Sequence, residues 1–289
     1  MEPVMNIIIL GGTGFVGSYL QNYLRQQGHH VVAFGRQAFS PDFDLTARLE
    51  NQDLLIMLAG ENVGQRWNAQ YKKALLESRT LTNHALKQAL IACDNPPNRI
   101  FSASAIGLYP QNDTQTPVDE SCIQVGEGFL GALGQQWEAA SSQLTPQPVI
   151  MRFGVVLGNN GGALQKMLPA FKLGLGGPVA GGAQSFSWIH IEDLARAVEF
   201  LISHPELGGA FNLTAPNPLS NRKFGQTLAD VLHRPFWLPM PQWMLSLMFG
   251  EGAQVLTHSS AVIPQRLMAA GFGFEYPEIK LALTDLVGK

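Results

Sequence analysis

Residues 5–17, MNIIILGGTGFVG, decide the fold of this chain. The apolar run at 7–10 reads as a short strand buried on both faces. Glycines follow at 11, 12, 14 and 17, and a helical pattern covers 15–27. Strand, glycine turn and helix in that order make a phosphate-binding turn. Gly11 permits the tight turn, Gly14 lets backbone N–H groups approach a pyrophosphate, and Gly17 lets helix and strand pack closely. The positive end of the helix dipole then faces the phosphates. Glycines kept only for packing would show the same spacing, so the flanking strand and helix carry the reading.

Outward from this turn, strand and helix patterns alternate. Strands are expected at 31–34, 54–58, 99–103 and 149–153, and helices at 68–92 and 129–144. This alternation predicts an α/β fold, a Rossmann-type doubly wound parallel sheet with a smaller C-terminal cap or substrate region. Only seven residues separate Arg36 from Asp44, too few for the usual crossover helix. An abbreviated first half is therefore expected. Beyond Gly158 the chain is richer in Gly and Pro, as in a region that covers strand ends.

Of the 289 residues, 46% are apolar and 14% charged, which is a globular composition with ample core-forming material. The net charge is −3 and no basic run exceeds two residues, which argues against nucleic acid as a partner. The apolar run at 243–249 is too short to span a bilayer, so no membrane partner is expected. Cys93 and Cys122 lack metal-like or redox spacing, and the seven histidines do not cluster. No metal is expected, and a reducing, cytoplasmic compartment is.

An acidic residue at the end of the second strand normally holds the ribose hydroxyls of NAD. Here Gly35 and Arg36 stand there. A guanidinium makes charge-assisted bonds to a 2′-phosphate worth roughly 1.5–3 kcal/mol each, and no carboxylate repels that phosphate. NADP(H) is therefore expected over NAD. The domains divide accordingly: 1–157 with parts of 184–214 as the NADP-binding domain, and 158–289 as the cap or substrate region.

With these residues in place, the chain resembles the extended short-chain dehydrogenase/reductase superfamily. It is most similar to an atypical epimerase-like group, also called cell-division-inhibitor-like. The likeness is carried by LAGENV (58–63), SRTLT (78–82), SASAIGLY (102–109), RFGVVLGNNGGAL (152–164), LGLGGPVAGGAQSFSWIHIEDLA (173–195) and APNPLSN (215–221). IPQRLMAAGFGFEYP (263–277) resembles that group's small C-terminal domain of unknown function, placed at about 236–284.

The resemblance implies roles at matching positions. Gly11, Thr13, Gly14, Phe15 and Val16 belong to the pyrophosphate turn, and Gly35 and Arg36 meet the adenosine 2′-phosphate end. Leu58, Ala59 and Gly60 pack on adenosine and ribose. Ser102 and Ser104 lie near the nicotinamide, and Gly154 and Val155 offer backbone groups to its carboxamide. Arg79 replaces an asparagine usual on the long helix, within reach of cofactor phosphates or an anionic substrate unless it is a plain surface charge.

One departure concerns catalysis. The superfamily uses a Tyr-x-x-x-Lys pair, with tyrosine as acid/base and lysine lowering its pKa and holding the ribose. Here the matching helix reads GFLGALGQQWEAA (128–140), with Leu130 and Gly134 at those places. A leucine transfers no proton and a glycine holds no ribose. Ser104 and Tyr109 are the remaining catalytic candidates, each with a structural alternative. His190, Glu192 and Asp193 read first as structural. Trp67, Phe186 and Trp188 are candidates for a substrate pocket or for core, the glycines at 174–182 for a lid, and the apolar face at 242–250 for oligomer contact or cap packing.

These readings lead to an NADP(H)-binding oxidoreductase or epimerase for a small, sugar-like carbonyl or alcohol, or to a non-catalytic NADP(H)-binding regulatory or sensor protein. Replacing Arg36 with Asp is expected to move cofactor preference from NADP towards NAD. Titration with both cofactors checks this, and an unchanged preference would count against the assignment.

Overall fold

The computed structural model describes residues 3–257 and 260–288. The chain starts with β1 (Asn6–Leu10), α1 (Phe15–Gln26) and β2 (His30–Phe34). A 3-10 turn (Arg36–Phe39) and the short α2 (Leu45–Leu49) lead to β3 (Leu54–Met57). Then come α3 (Ala69–Ala92), β4 (Arg99–Ala105), α4 (Gly128–Ser141) and β5 (Val149–Phe153). The next elements are β6 (Val155–Gly158), α5 (Gly162–Lys172), β7 (Ser185–Phe186), β8 (Trp188–His190), α6 (Ile191–Ser203) and β9 (Gly209–Leu213). The rest comprises β10 (Leu219–Ser220), α7 (Asn221–Val231), α8 (Gln242–Phe249), α9 (Gln254–Thr257), α10 (Gln265–Ala269) and α11 (Ile279–Val287).

The main sheet has six parallel strands in the order β2-β1-β3-β4-β5-β9. The order reverses at β1, which places the ligand crevice at the C-terminal ends of β1 and β3. Alternation within β1 explains its unbroken apolar run. Ile7 and Ile9 pack with Leu20 and Leu24 of α1 and Leu194 and Val198 of α6. Ile8 and Leu10 face the other layer, with Leu49 of α2 and Leu86 of α3. Both faces of the sheet are thus covered, as parallel sheets require.

The shortened crossover after β2 consists of the 3-10 turn and α2. Asp44 caps α2 by accepting from Ala47 N at 2.9 Å, so a carboxylate takes an otherwise orphan amide. Strand and helix ends differ from the sequence reading by a few residues. The strand expected to reach Leu58 stops at Met57, β4 runs on to Ala105, and α4 ends at Ser141.

After β5 the chain builds a second core. β6 pairs with β8, and β7 with β10, outside the main sheet. Trp188 is fully buried there with Leu157, Leu164, Phe224 and Leu228. Phe186 stacks on Phe224 at 4.2 Å, and Trp67 is buried against Phe129 and Leu133. All three aromatics are therefore packing residues, which corrects the pocket alternative. The glycine segment at 174–182 is not a free flap either. Gly176 and Pro178 carbonyls accept from Trp237, Leu238 and Met240, and Ala180 N donates back to Met240.

Two carboxylates, the buried Asp193 of α6 and the half-buried Glu120, tie the C-terminal part to the main domain. Asp193 accepts from Glu275 N and Tyr276 N, both at 2.8 Å, and pairs with Arg196 at 2.9 Å. Glu120 accepts from Asn212 N on β9 and Arg266 N on α10. His190 also has a structural place, accepting from Glu192 N and stacking on Tyr276. Asp193→Ala leaves three donors without their acceptor and is expected to cost about 3 kcal/mol or more. A urea unfolding curve measures the loss.

Candidate functional site

The site begins where no side chain fits. Gly11 has φ +91°, and a Cβ there would lie 2.7 Å from Ala59 N. A Cβ on Gly17 would lie 2.5 Å from the Gly11 carbonyl, so α1 sits directly on the turn. Gly14 is different, because a Cβ there meets only Gly11 O, at an ordinary 3.4 Å. Gly14 also starts α1 with no side-chain cap and no acidic residue in the first turn. Those amides and that dipole end suit an anion.

Side chains around the turn are already committed. The Phe15 ring fills the space beside Gly158, Gly161 and Gly162, where a Cβ on Gly161 would come within 2.4 Å of it. This accounts for the glycines of GNNGGAL. Val16 packs on the main core. Only the main chain of Phe15 and Val16 can therefore line a phosphate. Thr13 lies beside Gly35, where a Cβ would come 2.7 Å from its hydroxyl.

At the end of β2, the exposed guanidinium of Arg36 bonds Glu61 at 3.1 Å. This pair bridges the β2 turn and the β3 turn, which carries Leu58, Ala59 and Gly60. Arg79, from α3, is not a surface charge. It is 6% exposed, donates to the carbonyls of Leu75 (2.8 Å) and Glu61 (3.1 Å), and stacks on Trp137 at 4.5 Å. Burial pushes its pKa down to about 10. Sequence reasoning kept the surface alternative open, and only packing resolves it.

At the ends of β4 and β5 lies a connected polar network. Ser104 donates to Glu138 Oε1 at 2.7 Å. Arg152 grips the same carboxylate with two bonds, Nε to Oε1 at 2.8 Å and Nη2 to Oε2 at 2.7 Å. Its third nitrogen donates to the Tyr109 hydroxyl at 2.7 Å, and that hydroxyl donates to Asn212 Oδ1 at 2.9 Å. Asn212 in turn donates to Ile263 O in the C-terminal part. Ser102 bonds Ser141 at 2.8 Å, deeper along β4. Tyr109 is 3% exposed, and burial raises its pKa against the pull of Arg152. Its hydroxyl is held between two partners.

The sequence reading missed Glu138 and Arg152. The available signal was Glu138 four residues after Gly134, hence on the same helix face. The network also bears on the missing lysine. A Cβ on Gly134 would lie 3.0 Å from the Leu108 Cβ, so any side chain there requires Leu108 to give way by a few tenths of an ångström. Gly154 and Val155 use their N–H groups on Leu213 O and Ser187 O. That removes the N–H half of their expected role at a carboxamide. Among the described residues no cluster could hold a metal ion. A wide polar hollow lined by Asn51, Asp53, Asp94 and Asn98 lies at the N-terminal strand ends, away from all of this.

Residues 7–214 match the NAD dependent epimerase/dehydratase family, and 240–286 match a domain of unknown function, DUF1731. The chain belongs to this epimerase/dehydratase family. Among relatives, it is 33% identical to the Bacillus subtilis epimerase family protein YfhF, over 98% of both chains. It is 36% identical to the Staphylococcus aureus epimerase family protein SAB0724c, over 98% of this chain and 99% of that one. The solved human epimerase family protein SDR39U1, which holds NADPH, matches with a TM-score of 0.89 at 34% identity, covering 98% of this chain and 99% of that one. A nucleoside-diphosphate sugar epimerase from Corynebacterium glutamicum matches with a TM-score of 0.79 at 26% identity, over 99% of this chain and 59% of that one. The described part of this family member contains no helix long and apolar enough to cross a membrane.

Arg152→Met strands the Glu138 carboxylate in a mostly buried place and is expected to cost about 3–5 kcal/mol. Adding Glu138→Leu should restore much of that loss, because neither charge is then left alone. Urea unfolding of the single and double variants tests the pair.

Proposed function

We propose that this chain binds NADP(H) over the C-terminal ends of β2, β1, β3 and β4. On this reading it acts as an oxidoreductase or epimerase on a small, sugar-like carbonyl or alcohol. The observation that carries the reading is the bare start of α1. Gly14 has no packing reason to be glycine, and the helix N-terminus beside it has no internal cap. Family membership and the NADPH held by the human relative support the same cofactor.

The residues present fit that group. The turn at Gly11, Gly12 and Gly14 offers amides to a pyrophosphate, with Thr13 and Gly35 alongside. Arg36, exposed and held only by Glu61, is free to turn to a 2′-phosphate. When bound, NADP(H) supplies hydride transfer. Ser104 gives its proton to Glu138, so what it offers a substrate is lone pairs, suited to holding a hydroxyl. Tyr109 keeps the Arg152 side of the site rigid rather than donating to the substrate. With Leu130 and Gly134 at the usual acid/base places, the proton travels by solvent or by the substrate's own groups.

That same vacancy of ionisable residues favours a second reading, a non-catalytic NADP(H) sensor. In either case the partner is a small molecule, not a membrane or nucleic acid, and self-association is compatible with both. The free, half-buried Cys93 and Cys122 agree with a cytoplasmic location.

The deciding experiment titrates the protein with NADPH and NADH, then follows NADPH absorbance as nucleotide sugars and small carbonyls are added. NADPH is expected to bind more tightly than NADH, by roughly tenfold or more, and to be consumed with one substrate class. Binding without turnover across the panel leaves the sensor, and no binding of either cofactor sinks both readings.

A further inference from the structure

Arginine is seldom buried without a carboxylate, because desolvating its charge costs several kcal/mol unless an anion and hydrogen bonds offset it. Arg79 breaks that habit. Among the described residues it forms no salt bridge, its partners are two main-chain carbonyls, the Ser78 hydroxyl at 3.4 Å and an indole face, and its Nε has no hydrogen-bond partner. The Glu61 carboxylate is bonded to Arg36; its charge still acts on Arg79, but the hydrogen bond Arg79 makes to that residue is to its carbonyl.

Its position is narrowly set. Nη1 is held one turn back along α3 by Leu75 O, and the plane lies over Trp137 of α4. The guanidinium carbon would be 3.3 Å from a Cβ on Gly60. Gly60 follows Ala59, whose amide lies against Gly11. One side of the guanidinium therefore borders the β3 turn that abuts the phosphate turn. Arg36 stands at the end of β2, whereas Arg79 comes in from α3, between the β3 turn at Gly60 and Trp137 of α4.

We propose that Arg79 binds the cofactor pyrophosphate on its nicotinamide side and provides the cation that this chain's α4 does not carry at Gly134. The inference rests on the NADP(H) reading above. Position 134 carries no charge and packs tightly on Leu108, so the charge enters from α3 and is supported by Trp137, three residues beyond Gly134. A guanidinium suits the task, since its planar fork matches two phosphate oxygens and it stays charged at neutral pH even with its pKa lowered. An anion beside it removes the cost of its burial, so cofactor and arginine stabilise each other.

The test compares two probes by calorimetry, NADPH and adenosine 2′-monophosphate, which has the adenosine end and no pyrophosphate. Arg79→Met is expected to weaken NADPH by roughly 10- to 100-fold and to leave adenosine 2′-monophosphate within about twofold. Unchanged NADPH affinity, or an equal loss of both probes, would overturn the proposal. Should the Met variant not fold, Arg79→Lys keeps the charge and loses the fork. A severalfold loss for NADPH alone then supports the proposal, and no loss overturns it. Wild-type protein that binds no NADPH would instead sink the cofactor reading itself.

Discussion

Everything in the cleft depends on the contact between two pieces of bare backbone, Gly11 at the end of β1 and Ala59 after β3. A Cβ on Gly11 would lie 2.7 Å from the Ala59 amide. The two turns meet because neither places a side chain between them. That closeness sets the β3 turn, with Gly60 and the Arg79 guanidinium next to it, against the glycine turn after β1. The parallel sheet supplies the strand ends, and the glycine contact turns those ends into a cradle.

The charged groups then sort themselves by depth. Arg36 and Glu61 pair in water, where such a bond is worth less than about 1 kcal/mol and is easily exchanged. Arg152 and Glu138 pair with bidentate geometry among packed side chains, and rigidity is what they add to Ser104 and Tyr109. Among the described residues Arg79 is the one buried arginine, held by main-chain carbonyls and the Trp137 ring without a salt bridge. The contrast follows from solvation: exposed charges can wait for a ligand cheaply, while a buried one is retained only where something else gains from it.

α4 shows how a helix can keep its place in a fold and change its task. Its glycines pack closely on the segment before it, Gly134 on Leu108 and Gly131 on Gly126. Its next turn presents Trp137 to Arg79 and Glu138 to Ser104 and Arg152. The helix therefore acts through groups it supports and has no acid or base of its own where the superfamily keeps one.

Much of this was legible in the chain itself. A two-sided strand must be apolar throughout, a phosphate turn needs glycines at set spacing, and a helix lacking Tyr and Lys cannot hide it. So the sheet, the tight glycine turn after β1 and the short crossover could be read from local order and residue type. Burial could not, because it depends on elements far apart in the chain. Trp67, Phe186 and Trp188 became core, Arg79 lost its access to bulk water, and Glu138 found Arg152 only once α4 lay against β5. Local chemistry determined which elements form and which residues stand at their ends. Tertiary packing alone decided which charges were left in water, which were paired, and that Arg79 was buried without a salt bridge, since desolvation is a property of the assembled molecule.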